Sequence, residues 1–189
     1  MPATGGALIL SNHQSNFDPV LIGLACNRRL NYLARQTLFR FPPFRWLIKS
    51  LDAIPIDREG SGLGGLKETL KRLKRQEIVL IFPEGTRTRD GNVAPLKPGF
   101  CSLARRAGVP LVPAAIDGAY DAWPRDRPLP APSVIHIQFG EPLAPNDVAQ
   151  LTDDQLVAEV QRRICQCHQA AVAGRHRGRF SPLAVPQSL

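Results

Sequence analysis

Apolar residues in this chain fall into two patterns, short unbroken runs and a three-to-four-residue repeat, and the two alternate along it. Ala7–Ser11, Ile78–Phe82 and Leu111–Ile116 are runs of strand length, rich in Leu, Ile and Val. Such runs predict strands covered on both faces, as in the middle of a parallel sheet. Asn31–Ala34, Ala53–Ile56 and Val134–Phe139 predict three further strands. Leu66, Leu70 and Leu73 share one helical face, with Lys67, Lys71, Arg72, Lys74 and Arg75 around the rest. Pro98–Arg106 predicts a second helix with Gly108 just past its end, and Thr152-Asp153-Asp154-Gln155 has capping-box spacing for a last helix reaching about Ala173. Pro19 suits a first helical position, and Asp18 stands before it where an N-cap carboxylate would sit. Trp123–Pro132 holds four prolines and predicts a loop. The glycines around Ser61 mark another. The stretch carrying Phe39, Phe41, Phe44 and Trp46 is broken at Pro42-Pro43 and reads as helical or irregular.

Strands alternating with helices predict an α/β fold: a single domain over residues 1–173 with a largely parallel or mixed central sheet flanked by helices. The basic, proline-containing tail over 174–189 is expected to be disordered. Sites on such sheets lie on loops beyond the strand ends, and the polar motifs of this chain follow predicted strands directly.

Composition narrows the classes. With 189 residues, 43% of them hydrophobic, the chain is large enough for one substantial core and is not disordered as a whole. No apolar run approaches the roughly 20 residues of a membrane-spanning helix, and the N-terminus lacks a secretory signal. A cytoplasmic location follows as the expectation. The net charge of +8 fits nucleic acid, an anionic membrane, a phosphorylated or CoA-type substrate, or equally a merely soluble surface. Nucleic acid is the poorest fit, because no recognition motif is present and few aromatics interleave with the basic residues. Cys26, Cys101, Cys165 and Cys167 are expected to be reduced thiols. Cys165-Gln166-Cys167-His168 lacks the second ligand pair of a zinc site, so no metal is expected.

Three segments can carry chemistry. His13 and Asp18 are spaced so that a turn between strand and helix could join them. Imidazole would then take a proton from a hydroxyl, with the carboxylate fixing its tautomer. The same spacing also fits a loop histidine and a helix cap. The polar run of Asn12, Gln14, Ser15 and Asn16 suits a hydrogen-bonded loop. No G-x-S-x-G elbow occurs, so direct attack by an acceptor hydroxyl is the economical mechanism. In Phe82-Pro83-Glu84-Gly85-Thr86-Arg87 a glycine, a hydroxyl and an arginine could cradle a phosphate, with Glu84 orienting an arginine or accepting from an acceptor hydroxyl. A surface turn with a Glu–Arg pair is the bland alternative. Arg58 follows the Ala53–Ile56 strand and could add a second phosphate contact, or be solvated.

Asn12-His13-Gln14-Ser15-Asn16-Phe17-Asp18, Ile56-Asp57-Arg58, Phe82 to Arg87 and Val109-Pro110-Leu111-Val112-Pro113, in that order, closely resemble the four motifs of the 1-acyl-glycerol-3-phosphate acyltransferase family. Leu96-Lys97-Pro98-Gly99 and Gln138 to Leu143 look like its connecting segments. The resemblance implies His13 as general base with Asp18 its partner. It also implies an acceptor site of Arg58, Glu84, Gly85, Thr86 and Arg87, both arginines on the phosphate, and Pro113 in a segment shaping the acyl-donor or acceptor pocket. The reaction implied is transfer from acyl-CoA or acyl carrier protein to a lysophospholipid at the inner face of an anionic membrane, giving phosphatidic acid, without metal or prosthetic group. Another lysophospholipid, glycerol 3-phosphate or an aminolipid as acceptor stays open, as does a non-catalytic lipid-binding module. The resemblance further implies a helical segment before the first motif, whereas here the first strand begins almost at Met1. The Phe39–Trp46 aromatics and the helix around Lys71 are the candidate membrane contacts.

Overall fold

Strand β1 (Ala7–Ser11) occupies the middle of the sheet, and all five of its residues are buried. The computed structural model describes residues 2–35, 53–56 and 63–180. Within them β1 is flanked by β4 (Ile78–Ile81) and β5 (Leu111–Asp117), both buried throughout. Outside these lie β2 (Leu30–Arg35), β3 (Ala53–Ile56) and β6 (His136–Phe139), in the order β3-β2-β4-β1-β5-β6. All neighbours are parallel except β5 and β6, which run antiparallel. The sheet is therefore mixed, with its antiparallel pair confined to one edge.

Alternate strand residues feed two cores, as side-chain alternation requires. Leu8, Leu10, Val79, Ile81 and Leu111 face helices α2 (Leu63–Lys74), α3 (Gly99–Ala107), α5 (Pro145–Gln150) and α6 (Asp153–Phe180). On the other face Ile9, Leu80, Val112 and Ala114 pack with Ile22 of α1 (Asp18–Ala25). The capping box at the head of α6 forms in both directions: Thr152 N–H donates to Gln155 Oε1 at 2.9 Å, and Gln155 N–H to Thr152 Oγ1 at 3.3 Å.

Several expectations need correction. Asp18 is not the N-cap of α1. Phe17 holds that position without a side-chain cap, and Asp18 is the first helical residue. The one-turn helix α4 (Ala119–Ala122) and α5 carry too few residues for a readable periodicity. Helix α6 runs past Ala173 to Phe180, so the residues just beyond 173 are ordered helix rather than tail. Their anchor is Arg175, which is 9% exposed. Arg58, the Phe39–Trp46 aromatics, the loop around Ser61 and residues 181–189 lie outside the described residues.

Candidate active site

Parallel pairing of β1 with β4 decides what meets at their ends. Leu10 pairs with Ile81, so His13 and Glu84 stand equally far beyond the same edge of the sheet. The backbone N–H of His13 donates to Glu84 Oε1 at 3.1 Å, and Thr88 N–H donates to the His13 carbonyl at 2.7 Å. The Phe82 ring stacks on the imidazole with centroids 4.0 Å apart and planes 14° from parallel. The turn after β4 thus holds the histidine by both backbone groups and one ring face.

The carboxylate of Asp18 completes this grip. Its Oδ2 accepts from Gln14 N–H at 2.6 Å and Ser15 N–H at 2.8 Å, and lies 2.8 Å from His13 Nδ1. An oxygen already accepting two backbone N–H groups is an acceptor for the ring as well, which assigns the proton to Nδ1 and leaves the lone pair on Nε2. Asp18 is fully buried, while the His13 side chain is 19% exposed. The tautomer is fixed from inside and the basic nitrogen remains accessible. This is the His–Asp pair the spacing allowed, and the helix-cap alternative is excluded by where Oδ2 points.

Neighbouring polar residues each have a structural task. The Asn12 amide donates to the Ile116 carbonyl at 3.0 Å and accepts from its N–H at 2.9 Å. Gln14 donates to the Gly91 carbonyl at 2.7 Å and accepts from Tyr120 N–H at 3.1 Å. Ser15 Oγ donates to the Trp123 carbonyl at 2.9 Å. All three side chains are buried, so the loop is a rigid platform rather than a mobile one.

Glu84 is 3% exposed, which rules out the surface-pair reading. Burial pushes its carboxyl up to about 7, against the backbone N–H groups of His13 and Ala94, and with Asp18 and Asp90 adding to the rise. Its Oε2 has no hydrogen-bond partner among the described residues. Gly85 takes a left-handed φ of +75°, and the Lys97 side chain lies across it with Nζ 3.2 Å from where a Cβ would stand. Lys97 N–H also donates to the Pro83 carbonyl at 2.9 Å. Thr86 is exposed and Arg87 half-buried on the same turn. The structure therefore brings together His13, Asp18, Glu84, Gly85, Thr86 and Arg87, and adds Lys97. Pro113 sits apart from them, buried inside β5 opposite Leu10, its carbonyl accepting from Gly140 N–H at 2.8 Å. Lys97 carried a weak signal, as a lysine between Leu96 and Pro98 at the start of α3. Thr88 carried none, since its contribution is a backbone N–H.

An imidazole with an accessible Nε2, set beside a turn that ends in Arg87 and has Lys97 lying across it, is equipment for moving a group onto a hydroxyl. Known proteins agree. The acyltransferase family profile, described as "Acyltransferase", matches residues 1–117. The 1-acyl-sn-glycerol-3-phosphate acyltransferase of Bacillus subtilis (strain 168) is 32% identical over 167 residues, covering 88% of this chain and 81% of its own length. That of Pseudomonas aeruginosa is 32% identical over 160 residues, covering 82% of this chain and 60% of its own. The crystal structure of the Thermotoga maritima 1-acyl-sn-glycerophosphate (LPA) acyltransferase, PlsC, superposes with a TM-score of 0.73 at 25% identity, over 96% of this chain and 69% of that one. The chain belongs to the acyltransferase family. It spans less than two thirds of several relatives, 34% of the Brassica napus and 33% of the Arabidopsis thaliana chloroplast protein among them.

Proposed function

We propose that this acyltransferase moves a fatty acyl group from an acyl-CoA or acyl carrier protein thioester to the free hydroxyl of 1-acyl-glycerol 3-phosphate, giving phosphatidic acid. The observation that carries the reading is the bond between His13 Nδ1 and Asp18 Oδ2, 2.8 Å long and made to an oxygen held by two backbone N–H groups. His13 Nε2 takes the hydroxyl proton as the acceptor oxygen attacks the thioester carbonyl carbon. Asp18 stabilises the imidazolium that results. When the tetrahedral intermediate collapses, the C–S bond breaks and the thiolate recovers the proton from Nε2. Arg87 and Arg58 bind the acceptor phosphate, with the Lys97 ammonium beside Gly85 as a further cation. Gly85 and Thr86 line the approach, Glu84 braces the turn from within through its bond to the His13 N–H, and the segment of Pro113 shapes the pocket.

Acyl transfer from labelled acyl-CoA or acyl carrier protein to lysophosphatidic acid on anionic vesicles tests this. Arg87→Ala is expected to raise the KM for the phosphorylated acceptor about 10- to 100-fold, the loss of a charge-assisted bond of about 1.5–3 kcal/mol, with a smaller change in kcat. A wild type active only on non-phosphorylated acceptors would remove phosphate recognition from the reading.

Membrane contact is part of the same proposal: the protein works peripherally at the inner, anionic face of the membrane. Among the described residues no helix is long and apolar enough to cross one. Helix α2 turns Leu73 into the core and leaves Lys67, Lys71 and Lys74 exposed, a face suited to anionic headgroups. Replacing these three lysines with glutamate is expected to weaken sedimentation with phosphatidylglycerol vesicles at least 10-fold while leaving binding to neutral vesicles unchanged. Undiminished binding to the anionic vesicles would remove α2 from the docking face.

A further inference from the structure

We propose that Arg175, on the last turns of α6, is a positioning residue for the catalytic loop, acting through the corner between β5 and α4. This inference rests on the proposed reaction only in taking His13 as the base. Asn12, Gln14 and Ser15 anchor the loop to Ile116, Tyr120 and Trp123 respectively. Those three contacts run from the end of β5 through α4 to its C-cap, either side of the corner at Gly118. The corner itself carries two carboxylates, Asp117 at the end of β5 and Asp121 in α4, and one guanidinium holds both. Arg175 Nη1 donates to Asp117 Oδ2 at 3.2 Å, and Nη2 donates to Asp121 Oδ2. His168, from the same helix, places Nε2 3.8 Å from Asp117 Oδ1.

The corner has little slack to absorb a change. Gly118 sits between the two carboxylates with φ +91°, and a Cβ there would lie 2.1 Å from the Val134 carbonyl oxygen and 2.9 Å from Arg175 Nε. Arg175 is 9% and Asp117 8% exposed, so water cannot readily replace the lost cation. Without the guanidinium, the buried Asp117 carboxylate loses its ion pair, and Asp121, whose side chain is 53% exposed, is let go into solvent. The backbone between them is then released to shift; it carries Tyr120, with Ile116 and Trp123 just outside its two ends. A displacement on the order of 1 Å at the base suffices for about a 100-fold loss of rate. Arg175 touches no reacting atom, so its effect belongs in the placement of His13 and not in binding of the acceptor.

The test compares full-length wild type with Arg175→Gln, Arg175→Lys and Arg175→Ala. The first readout is amide hydrogen exchange, which needs no substrate. In Arg175→Gln the amides of Gln14, Ser15 and Tyr120 are expected to exchange at least 10-fold faster, while those of Ile9 and Leu80 in the central strands stay protected. In the acyl-transfer assay kcat falls about 10- to 100-fold with the acceptor KM within about twofold. Arg175→Lys recovers part of kcat, and millimolar methylguanidinium restores part of it to Arg175→Ala but none to His13→Ala. Unchanged exchange at Gln14 and Ser15 in a folded Arg175→Gln protein would overturn the proposal, whatever the enzyme assay gives. Uniform loss of protection through the central strands would overturn it too, since Arg175 would then be a stability residue only. An inactive wild type with faster exchange confined to the loop would remove the proposed reaction and leave the coupling standing.

Discussion

His13→Ala is expected to lower kcat for acyl transfer by about 10³- to 10⁴-fold while the acceptor KM changes less than about threefold. A positioned general base contributes typically 10²- to 10⁴-fold, and this one is positioned on every side. Its ring lies on Phe82, its Nδ1 is bonded to a buried carboxylate, and its backbone is held by Glu84 and Thr88. Such preorganisation puts the expected loss in the upper part of the range. The acceptor KM is insulated because the cations proposed for the phosphate, Arg87 on the neighbouring turn and Lys97 lying across Gly85, keep their places when an imidazole is removed. The substitution leaves Asp18 with two backbone donors, which keeps the loop closed and makes misfolding a poor explanation of the loss. Single-turnover rates at saturating lysophosphatidic acid are the measurement. Retention of more than a tenth of the wild-type rate would remove His13 from the role of base.

The three central strands could be read from the chain because each is an apolar run long enough to cross a sheet and too short for a helix. Once β1 and β4 are taken as parallel neighbours, the meeting of His13 with the Glu84 turn follows from register alone. What pattern could not supply is everything that depends on a single distant partner. Asp18 before Pro19 has the composition of an N-cap, and only the fold turns its carboxylate back onto Gln14, Ser15 and His13. Glu84 beside Arg87 looks like a surface pair in sequence, whereas β4 ends so deep in the sheet that the acid is buried. The largest miss is the end of α6. Arg175, Arg177 and Arg179 with Gly174 and Gly178 have the composition of a solvated tail. Yet Arg175 meets two carboxylates more than fifty residues earlier in the chain, a separation that no local periodicity encodes. Gly174 reads as a helix breaker and is a packing residue, since a Cβ there would lie 2.6 Å from the His136 ring.

The buried acid of the site also sets a pH dependence. Folded-state stability is expected to fall as pH rises from about 4.5 to about 7, by up to about 3 kcal/mol from Glu84 alone. Its carboxyl titrates at about 7 in the folded protein against 4.5 for an unperturbed group, mainly because burial disfavours the charged form. Between those values the folded state holds a proton that the unfolded state has released. The contribution is therefore fully present below 4.5, fades through the interval and is gone above 7. His168 works in the opposite sense: burial lowers its pKa, so folding gains as pH rises towards the ordinary histidine range. The net slope of the wild type mixes the two. Glu84→Gln separates them, because it removes only the falling component and keeps an acceptor for the His13 N–H. Denaturant midpoints at pH 5, 6, 7 and 8 should show the wild type losing stability relative to Glu84→Gln across this range, with most of the change complete by pH 7.5. Parallel curves for the two proteins would mean that Glu84 is ionised throughout, and that a neighbouring cation reaches Oε2 closely enough to offset its burial.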